Sequence, residues 1–301
     1  MKILVFHQPW PMGNYLLNQR IAEHFQNEGH EVYTLEQLNG QQCTEEYIQQ
    51  ILDLDLDVCY YEMLDEETFK IIERLKCTRI LLYASGGVLG EYDKILDYSG
   101  KWYDKILTNS LAMYQKFLKK GIEAIHFKFY HSVIKQEDGH ESLYNYPCVF
   151  LGMGFNRLSD PQYELERKLY FSNNNITLFG NGWQGVANWK GILPPDKIGS
   201  LYHSAQSAIG IIAKKQREHG MINNRYTEIA MSGCPLISYN YDTVDWYGAD
   251  EYINFIQSPT DVTDIVNNID NDEYKIKAEK FKVFMAQQDI EFYQKLNSLI
   301  K

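Results

Sequence analysis

The sequence has few cysteines, no long apolar run and fewer basic than acidic residues. Its five cysteines are scattered and form no Cys-x-x-Cys pair, which favours a protein of the reducing cytoplasm over a disulfide-bonded one. No apolar stretch approaches the roughly 20 residues that a membrane-spanning helix needs. The 29 basic side chains against 40 acidic ones give a net charge of −11, which argues against a general surface for nucleic acid or anionic membranes. We therefore expect a cytoplasmic protein that does not insert into a membrane.

Several common catalytic patterns are also missing. None of the eight histidines stands in a His-x-x-x-His pair, the spacing of a metal-binding helix. There is no Gly-x-Ser-x-Gly motif, and no cysteine has an obvious catalytic setting, so the sequence does not support a serine hydrolase or thiol chemistry. Asp53, Asp55 and Asp57 alternate with leucines, but they precede the apolar segment that begins at Val58. A metal-binding acid pair is expected beyond the end of a strand. We therefore predict that these aspartates form a solvent-exposed segment before a strand and that the protein has no metal site and no cofactor.

The length and the hydrophobic pattern predict two α/β domains. At 301 residues and 45% hydrophobic content, the chain is long enough for two domains of about 150 residues, each with its own core. In both halves, short apolar segments alternate with helical spacings of apolar residues, which predicts parallel strands with right-handed crossovers. We predict two Rossmann-like domains, residues 1–140 and 147–273, separated by the polar segment 134–146. An amphipathic helix over 274–301 is expected to pack back on the first domain.

A glycine-rich turn is predicted in the second half of the chain. Gly180, Gly182 and Gly185 follow an apolar segment in the spacing Gly-x-Gly-x-x-Gly. A dinucleotide site needs a helix that opens at this point, and a Pro-Pro pair soon afterwards opposes a long helix. We therefore predict a structural or ligand-facing turn at Gly180 and Gly182, with Ile192 in the next segment as a further ligand-binding candidate. Dinucleotide binding is the alternative.

The densest polar cluster covers residues 214–228, between an apolar strand pattern and an apolar helix pattern. Lys214 and Arg225, together with the backbone N–H groups at the helix start, predict an anion site. Glu228 lies in the first turn of that helix, where a carboxylate accepts hydrogen bonds from sugar hydroxyls, and Asn223 and Asn224 precede it. The alternative is a solvated charged loop with a capping glutamate.

A family resemblance rests on this cluster. The run GMINNRYTEIAMSGCPLISYN resembles the donor-site motif of the glycosyl transferases of group 1, especially their CgeB-like branch. That branch typically carries N-x-R-x-x-E-x-x-x-x-G, which is met here by Asn223, Arg225, Glu228 and Gly233. The resemblance covers about residues 149–240. In the wider superfamily two glutamates eight residues apart face the donor, and this sequence has Gly220 at the first of those positions.

The resemblance implies a GT-B glycosyltransferase that uses a nucleotide sugar, most often UDP-linked, with retention of the anomeric configuration. It places Glu228 on the ribose and basic residues on the diphosphate, for which Arg157, Lys214 and Arg225 are the candidates. It also implies a glycine loop after the first strand that approaches the donor, and Gly13 with Asn14 stands at that place. Since these cations would balance the charge of the diphosphate, we expect no metal requirement.

The acceptor and part of the chemistry stay open at this point. A glycan, another cell-surface polymer or a protein hydroxyl is one acceptor class, and a modified base of viral DNA is another, with Lys116, Lys119 and Lys120 as its candidate patch. His7, which ends the first predicted strand, is either catalytic or structural. The alternatives from other classes are a nucleotide-dependent oxidoreductase and a non-catalytic nucleotide- or sugar-binding homologue. The sequence predicts no oligomeric state.

Overall fold

The chain forms two compact units. In the computed structural model the first unit is Met1–Tyr130 with Ile290–Lys301, and the second is His131–Asp289. The boundary after Asp289 therefore lies inside the last helix. The predicted limits (1–140, 147–273 and 274–301) were placed instead at the polar segment and at the start of that helix. The structure describes residues 1–7, 15–36, 38, 43–62, 66–84, 94–134, 144–154, 158, 163–172 and 175–300. Most of the predicted linker, residues 135–143, lies outside this part of the chain.

The first unit is a parallel sheet with helices between its strands. Its elements are β1 (Lys2–His7), α1 (Tyr15–Asn27), β2 (Glu31–Glu36), α2 (Glu45–Leu52), β3 (Val58–Tyr61), α3 (Glu66–Ile72), β4 (Thr78–Tyr83), a 3₁₀ turn (Lys94–Tyr98), β5 (Lys105–Thr108), α4 (Leu111–Lys119) and β6 (Glu123–His126). The six strands lie in the order β2–β1–β3–β4–β5–β6. Helix α1 buries Leu17, Ile21 and Phe25, the residues whose spacing predicts it.

The second unit repeats this architecture around a five-stranded parallel sheet. Its elements are β7 (Cys148–Leu151), α5 (Glu164–Ser172), β8 (Ile176–Phe179), α6 (Ile198–Ser204), β9 (Ala208–Gly210), α7 (Lys214–Glu218), α8 (Asn224–Met231), β10 (Leu236–Tyr239), a 3₁₀ turn (Ala249–Tyr252), β11 (Asn254–Ile256), α9 (Pro259–Asn267) and α10 (Asp272–Ile300). The strand order is β11–β10–β9–β7–β8, so β7 and β9 are adjacent central strands. Their carboxyl ends lie at the same edge of the sheet, which is where open α/β sheets bind ligands.

The two parallel sheets confirm the predicted fold class. One element inside the polar cluster, the short helix α7, was not predicted. At its start, the backbone N–H of Ala213 donates to Oε1 of Gln216 at 3.1 Å, so the side chain three residues ahead satisfies this N–H group. No helix in the described part of the chain is long and apolar enough to cross a membrane.

The aspartate run precedes β3, as the sequence indicates. Asp53 follows the last residue of α2, and its Oδ1 accepts from Nε2 of Gln49 at 2.7 Å. Asp57 Oδ2 accepts from the backbone N–H of Lys2 at 2.7 Å, which ties the lead-in of β3 to the start of β1. Within the residues that the structure describes, no three His, Cys, Asp or Glu side chains are grouped so as to hold a metal ion. That the reaction needs no metal stays a prediction.

Candidate functional site

Arg225 is held at the carboxyl edge of the second sheet by three contacts from the ends of two strands, β7 and β9. Its Nε donates to the carbonyl oxygen of Leu151, the last residue of β7, at 2.7 Å. Its Nη1 donates to the carbonyl oxygen of Ile211, just past β9, at 3.4 Å. The guanidinium carbon lies 4.7 Å from the centroid of the Phe150 ring, in a cation–π contact. A guanidinium fixed in this way is a rigid cation with N–H groups to spare for an anion.

Glu228 lies one helical turn after Arg225 and is almost fully buried, with 5% of its surface exposed. Its Oε1 accepts from Nδ2 of Asn224 at 2.8 Å. Burial raises the pKa of Glu228 to about 7, while Arg225 and the hydrogen bond from Asn224 act to lower it. A buried carboxylate that titrates near neutrality is typical of a functional site, because desolvation penalises its charged form until a ligand satisfies it.

Asn223 joins the start of α8 to the end of β9. Its Nδ2 donates to the carbonyl oxygen of Ile211 at 2.7 Å, which ties the residue before α8 to the segment after β9. The same Ile211 carbonyl accepts from Arg225 at 3.4 Å, and both predicted residues are therefore oriented by one strand end. Asn224, the next residue, instead donates its side-chain hydrogen bond to the Glu228 carboxylate. The predicted residues thus form two hydrogen-bonded pairs on neighbouring positions: Asn223 and Arg225 through the Ile211 carbonyl, and Asn224 with Glu228.

The other predicted cations differ in their placement. Lys214 is the first residue of α7, and its ammonium group lies 3.9 Å from the Glu218 carboxylate, with both side chains more than half exposed. An exposed ion pair of this kind contributes little to stability, so Lys214 is available for a ligand at small cost. Arg157 lies outside the described residues, as do Gly13 and Asn14.

The glycine turn is a packed junction between two strand ends. The backbone N–H of Gly152, after β7, donates to the carbonyl of Phe179 at 3.0 Å, and that of Gly154 donates to the carbonyl of Asn181 at 2.7 Å. Gly180 and Gly182 have φ of 122° and 87°, where side chains are strained. No helix is present between residues 181 and 194, all of which are described, so the turn lacks the helix that a dinucleotide fingerprint requires.

Gly180→Ala should be strongly destabilising, because a Cβ there would lie 2.2 Å from the carbonyl oxygen of Gly152. We expect a loss of about 3 kcal/mol or more in the free energy of unfolding, from left-handed strain and from overpacking. Gly185→Ala is the matched control, since Gly185 also has a positive φ (88°) but nothing within 4 Å of its Cβ position. Urea unfolding of both variants would measure the difference, and equal losses would contradict the packed junction.

Two further predicted residues are partly or largely exposed. Ile192 has 63% of its surface exposed, and it follows Gly191, whose carbonyl accepts from the backbone N–H of Gly180 at 2.9 Å. His7 ends β1 in the first unit, where its ring meets that of Tyr15 edge-on at 5.1 Å. Sequence reasoning missed the role of Phe150, because a strand phenylalanine looks the same whether or not a cation rests on its ring.

Comparison with known proteins gives a family match over part of the chain and a fold for the whole of it. Residues 162–295 match the model of the family described as glycosyl transferase-like. A search of curated proteins finds no match. The structure is similar to that of T4 phage β-glucosyltransferase, with a TM-score of 0.71 and 13% identity over 100% of both chains. It is also similar to Anabaena HepE (TM-score 0.59, 13% identity, 99% of this chain and 100% of that one) and to the glycosyltransferase SnogD of Streptomyces nogalater (0.51, 12%, 100% and 99%).

These comparisons agree with the resemblance carried by Asn223, Arg225 and Glu228, all of which lie inside the matched segment. They do not separate the CgeB-like branch from the rest of the superfamily, so the branch stays a prediction. Residues 162–295 match the glycosyl transferase-like family model, and the whole chain has the two-domain fold of the GT-B glycosyltransferases.

Proposed function

We propose that this protein transfers a sugar from a UDP-sugar to a hydroxyl acceptor, with Arg225 and Glu228 holding the nucleotide. The observation that carries the proposal is the pair of Arg225 and Glu228 on α8. The Arg225 guanidinium is hydrogen-bonded to the end of β7, and the buried Glu228 carboxylate lies one helical turn further on. A nucleoside diphosphate offers the matching groups, two phosphates for the cation and ribose hydroxyls for the carboxylate.

Departure of UDP from the sugar is the step that needs stabilisation, because negative charge develops on the leaving phosphate. Arg225 is already held by Leu151 and Ile211 through Nε and Nη1, so it would meet that charge without reorganising. The planar fork binds two phosphate oxygens at once. Lys214 and Arg157 are proposed as the other cations, and Gly13, Asn14, Gly180, Gly182 and Ile192 as further donor contacts. His7 is proposed as the catalytic residue of the first unit.

Glu228 would accept hydrogen bonds from the ribose. Asn224 occupies one of its oxygens, at 2.8 Å, and so holds the carboxylate in one orientation. Ionised carboxylates only accept hydrogen bonds, and a ribose supplies two O–H donors. The structure of the T4 phage enzyme was determined with UDP-glucose, and so was that of HepE, which supports a UDP-linked donor here.

The acceptor is proposed only as a class. A glycan or protein hydroxyl, or a hydroxyl on a modified base of viral DNA, would suit the reaction. Of the candidate DNA patch, Lys120 forms an ion pair with Asp97 at 2.9 Å, and Lys116 and Lys119 lie on α4. Retention of the anomeric configuration, a cytoplasmic location and the absence of a membrane anchor remain predictions.

The test is calorimetric titration of the protein with UDP-glucose, GDP-glucose and NAD, each in EDTA and in manganese. We expect UDP-glucose to bind most tightly, with equal affinity in EDTA and in manganese, because fixed cations would balance the diphosphate. The manganese arm matters, because the T4 phage enzyme has also been crystallised with UDP and Mn²⁺. Binding of NAD alone would favour the oxidoreductase alternative. Binding that requires manganese would contradict the metal-independent assignment.

A further inference from the structure

Gly152, the residue after β7, lies next to the guanidinium of Arg225. A Cβ at position 152 would lie 2.9 Å from Nη2 of Arg225 and 2.9 Å from Cζ of Phe150. Real Cβ atoms essentially never come this close to another heavy atom, because the two would overlap. Any side chain at position 152 therefore requires one of its neighbours, or its own backbone, to move.

The backbone of Gly152 is poorly placed to move, because both of its polar groups are hydrogen-bonded. Its N–H donates to the carbonyl of Phe179 at 3.0 Å, and its carbonyl accepts from Nε1 of Trp183 at 2.7 Å. The same carbonyl oxygen would lie 2.2 Å from a Cβ at Gly180, so the turn after β8 packs directly against it. A shift of Gly152 would therefore break contacts with β8 and with that turn.

The ring of Phe150 is also confined. Its side chain is fully buried, and its centroid lies 4.8 Å from that of Tyr170 and 6.0 Å from that of Trp183. Protein interiors are close-packed, so a ring held between two others does not move without cost. Nη2 of Arg225, by contrast, is the end of a long side chain that is only half-buried. The group that a Cβ at position 152 would displace is therefore the Arg225 guanidinium.

We propose that Gly152 is a positioning residue of the donor site, because the absence of a side chain there lets the Arg225 guanidinium lie against the end of β7. In that place Nε of Arg225 reaches the Leu151 carbonyl at 2.7 Å, and the guanidinium rests on the Phe150 ring at 4.7 Å. A displaced guanidinium keeps its charge but loses this orientation, on which a two-point contact with phosphate oxygens depends. This inference rests on the proposed function of the site.

The experiment compares Gly152→Ala with Gly210→Ala by isothermal titration and urea unfolding. Gly210, the last residue of β9, is the matched control, because its Cβ would meet Cδ1 of Leu236 at 2.8 Å and Cζ of Tyr226 at 2.9 Å. Neither glycine has a positive φ. We expect both variants to fold with lowered stability. Only Gly152→Ala should bind UDP-glucose more weakly, by about tenfold, which is the effect of one charge-assisted hydrogen bond to phosphate.

A spectroscopic measurement tests the same inference without a ligand. In nitrogen–proton NMR spectra the Nε–H group of Arg225, identified by its loss in Arg225→Lys, reports on the hydrogen bond to Leu151. We expect Gly152→Ala to shift or broaden this resonance and Gly210→Ala to leave it in place. An unchanged resonance in Gly152→Ala would overturn the inference. A changed resonance in a protein whose wild type does not bind UDP-glucose would refute the proposed function alone.

A double variant decides the outcome if Gly152→Ala does not fold. Truncation of Arg225 removes the guanidinium from the crowded space, so Gly152→Ala should cost less stability in the Arg225→Ala background than in the wild type. It should also weaken UDP-glucose binding there by less than about twofold. Additive losses, a double variant that does not fold, or an equal loss of affinity in Gly210→Ala would each contradict a role of Gly152 through Arg225.

Discussion

Arg225→Ala should weaken UDP-glucose binding by about 100-fold or more. Two charge-assisted hydrogen bonds to phosphate are worth about 1.5 kcal/mol or more each, and every 1.4 kcal/mol is a factor of ten in affinity. Arg225→Lys should recover only part of the loss, because an ammonium group keeps the charge but has no fork with which to reach Leu151, Ile211 and a phosphate together. Isothermal titration of the three proteins measures the series.

Stability must be separated from binding in this experiment, since Arg225 also ties two strand ends together. Arg217→Ala is the matched control. Arg217 makes the same two kinds of contact in the same unit, a hydrogen bond from Nη1 to the Ile212 carbonyl at 2.7 Å and a cation–π contact with Tyr241 at 4.6 Å. We expect similar losses of stability in both alanine variants but a large loss of affinity in Arg225→Ala only. Equal affinities would remove Arg225 from the donor site.

The affinity for UDP-glucose should rise about tenfold between pH 6 and pH 8. The pKa of Glu228 is raised to about 7, so the carboxylate is mostly protonated at pH 6 and mostly ionised at pH 8. Only the ionised form accepts hydrogen bonds from both ribose hydroxyls, and binding below pH 7 must therefore first remove a proton. UDP-glucose suits the measurement because its diphosphate diester has no group that titrates in this range. A flat pH profile would contradict the contact between Glu228 and the ribose.

The same carboxylate should make the unliganded protein less stable as the pH rises. Because its folded-state pKa lies above the ordinary value of 4.5, its stabilising contribution is complete below pH 4.5 and is lost as the pH rises through about 7. The shift corresponds to a loss on the order of 3 kcal/mol. Glu228→Gln should remove this part of the pH dependence and also flatten the binding profile. Urea unfolding at pH 5 and pH 8 for the two proteins gives the comparison.

The elements and the donor motif could be predicted because they depend on local patterns. Leu17, Ile21 and Phe25 recur at helical spacing, and they are the residues that α1 buries. The motif residues Asn223, Arg225 and Glu228 could be grouped because they match a family motif, and Arg225 and Glu228 are three residues apart, as neighbours on one helix face are. Helix α7 was not predicted, since it is only five residues long and lies in a polar segment without helical periodicity.

The sequence by itself determined that this chain has two α/β halves and that a helix carrying Arg225 and Glu228 follows one of the strands of the second half, because these features need only short-range periodicity and spacing. The tertiary structure decided what each group can do there. It placed the Arg225 guanidinium between the carbonyls of Leu151 and Ile211, and it buried Glu228 until its pKa reached about 7. Desolvation and contacts between distant segments act only when the chain is folded, so no local pattern records them.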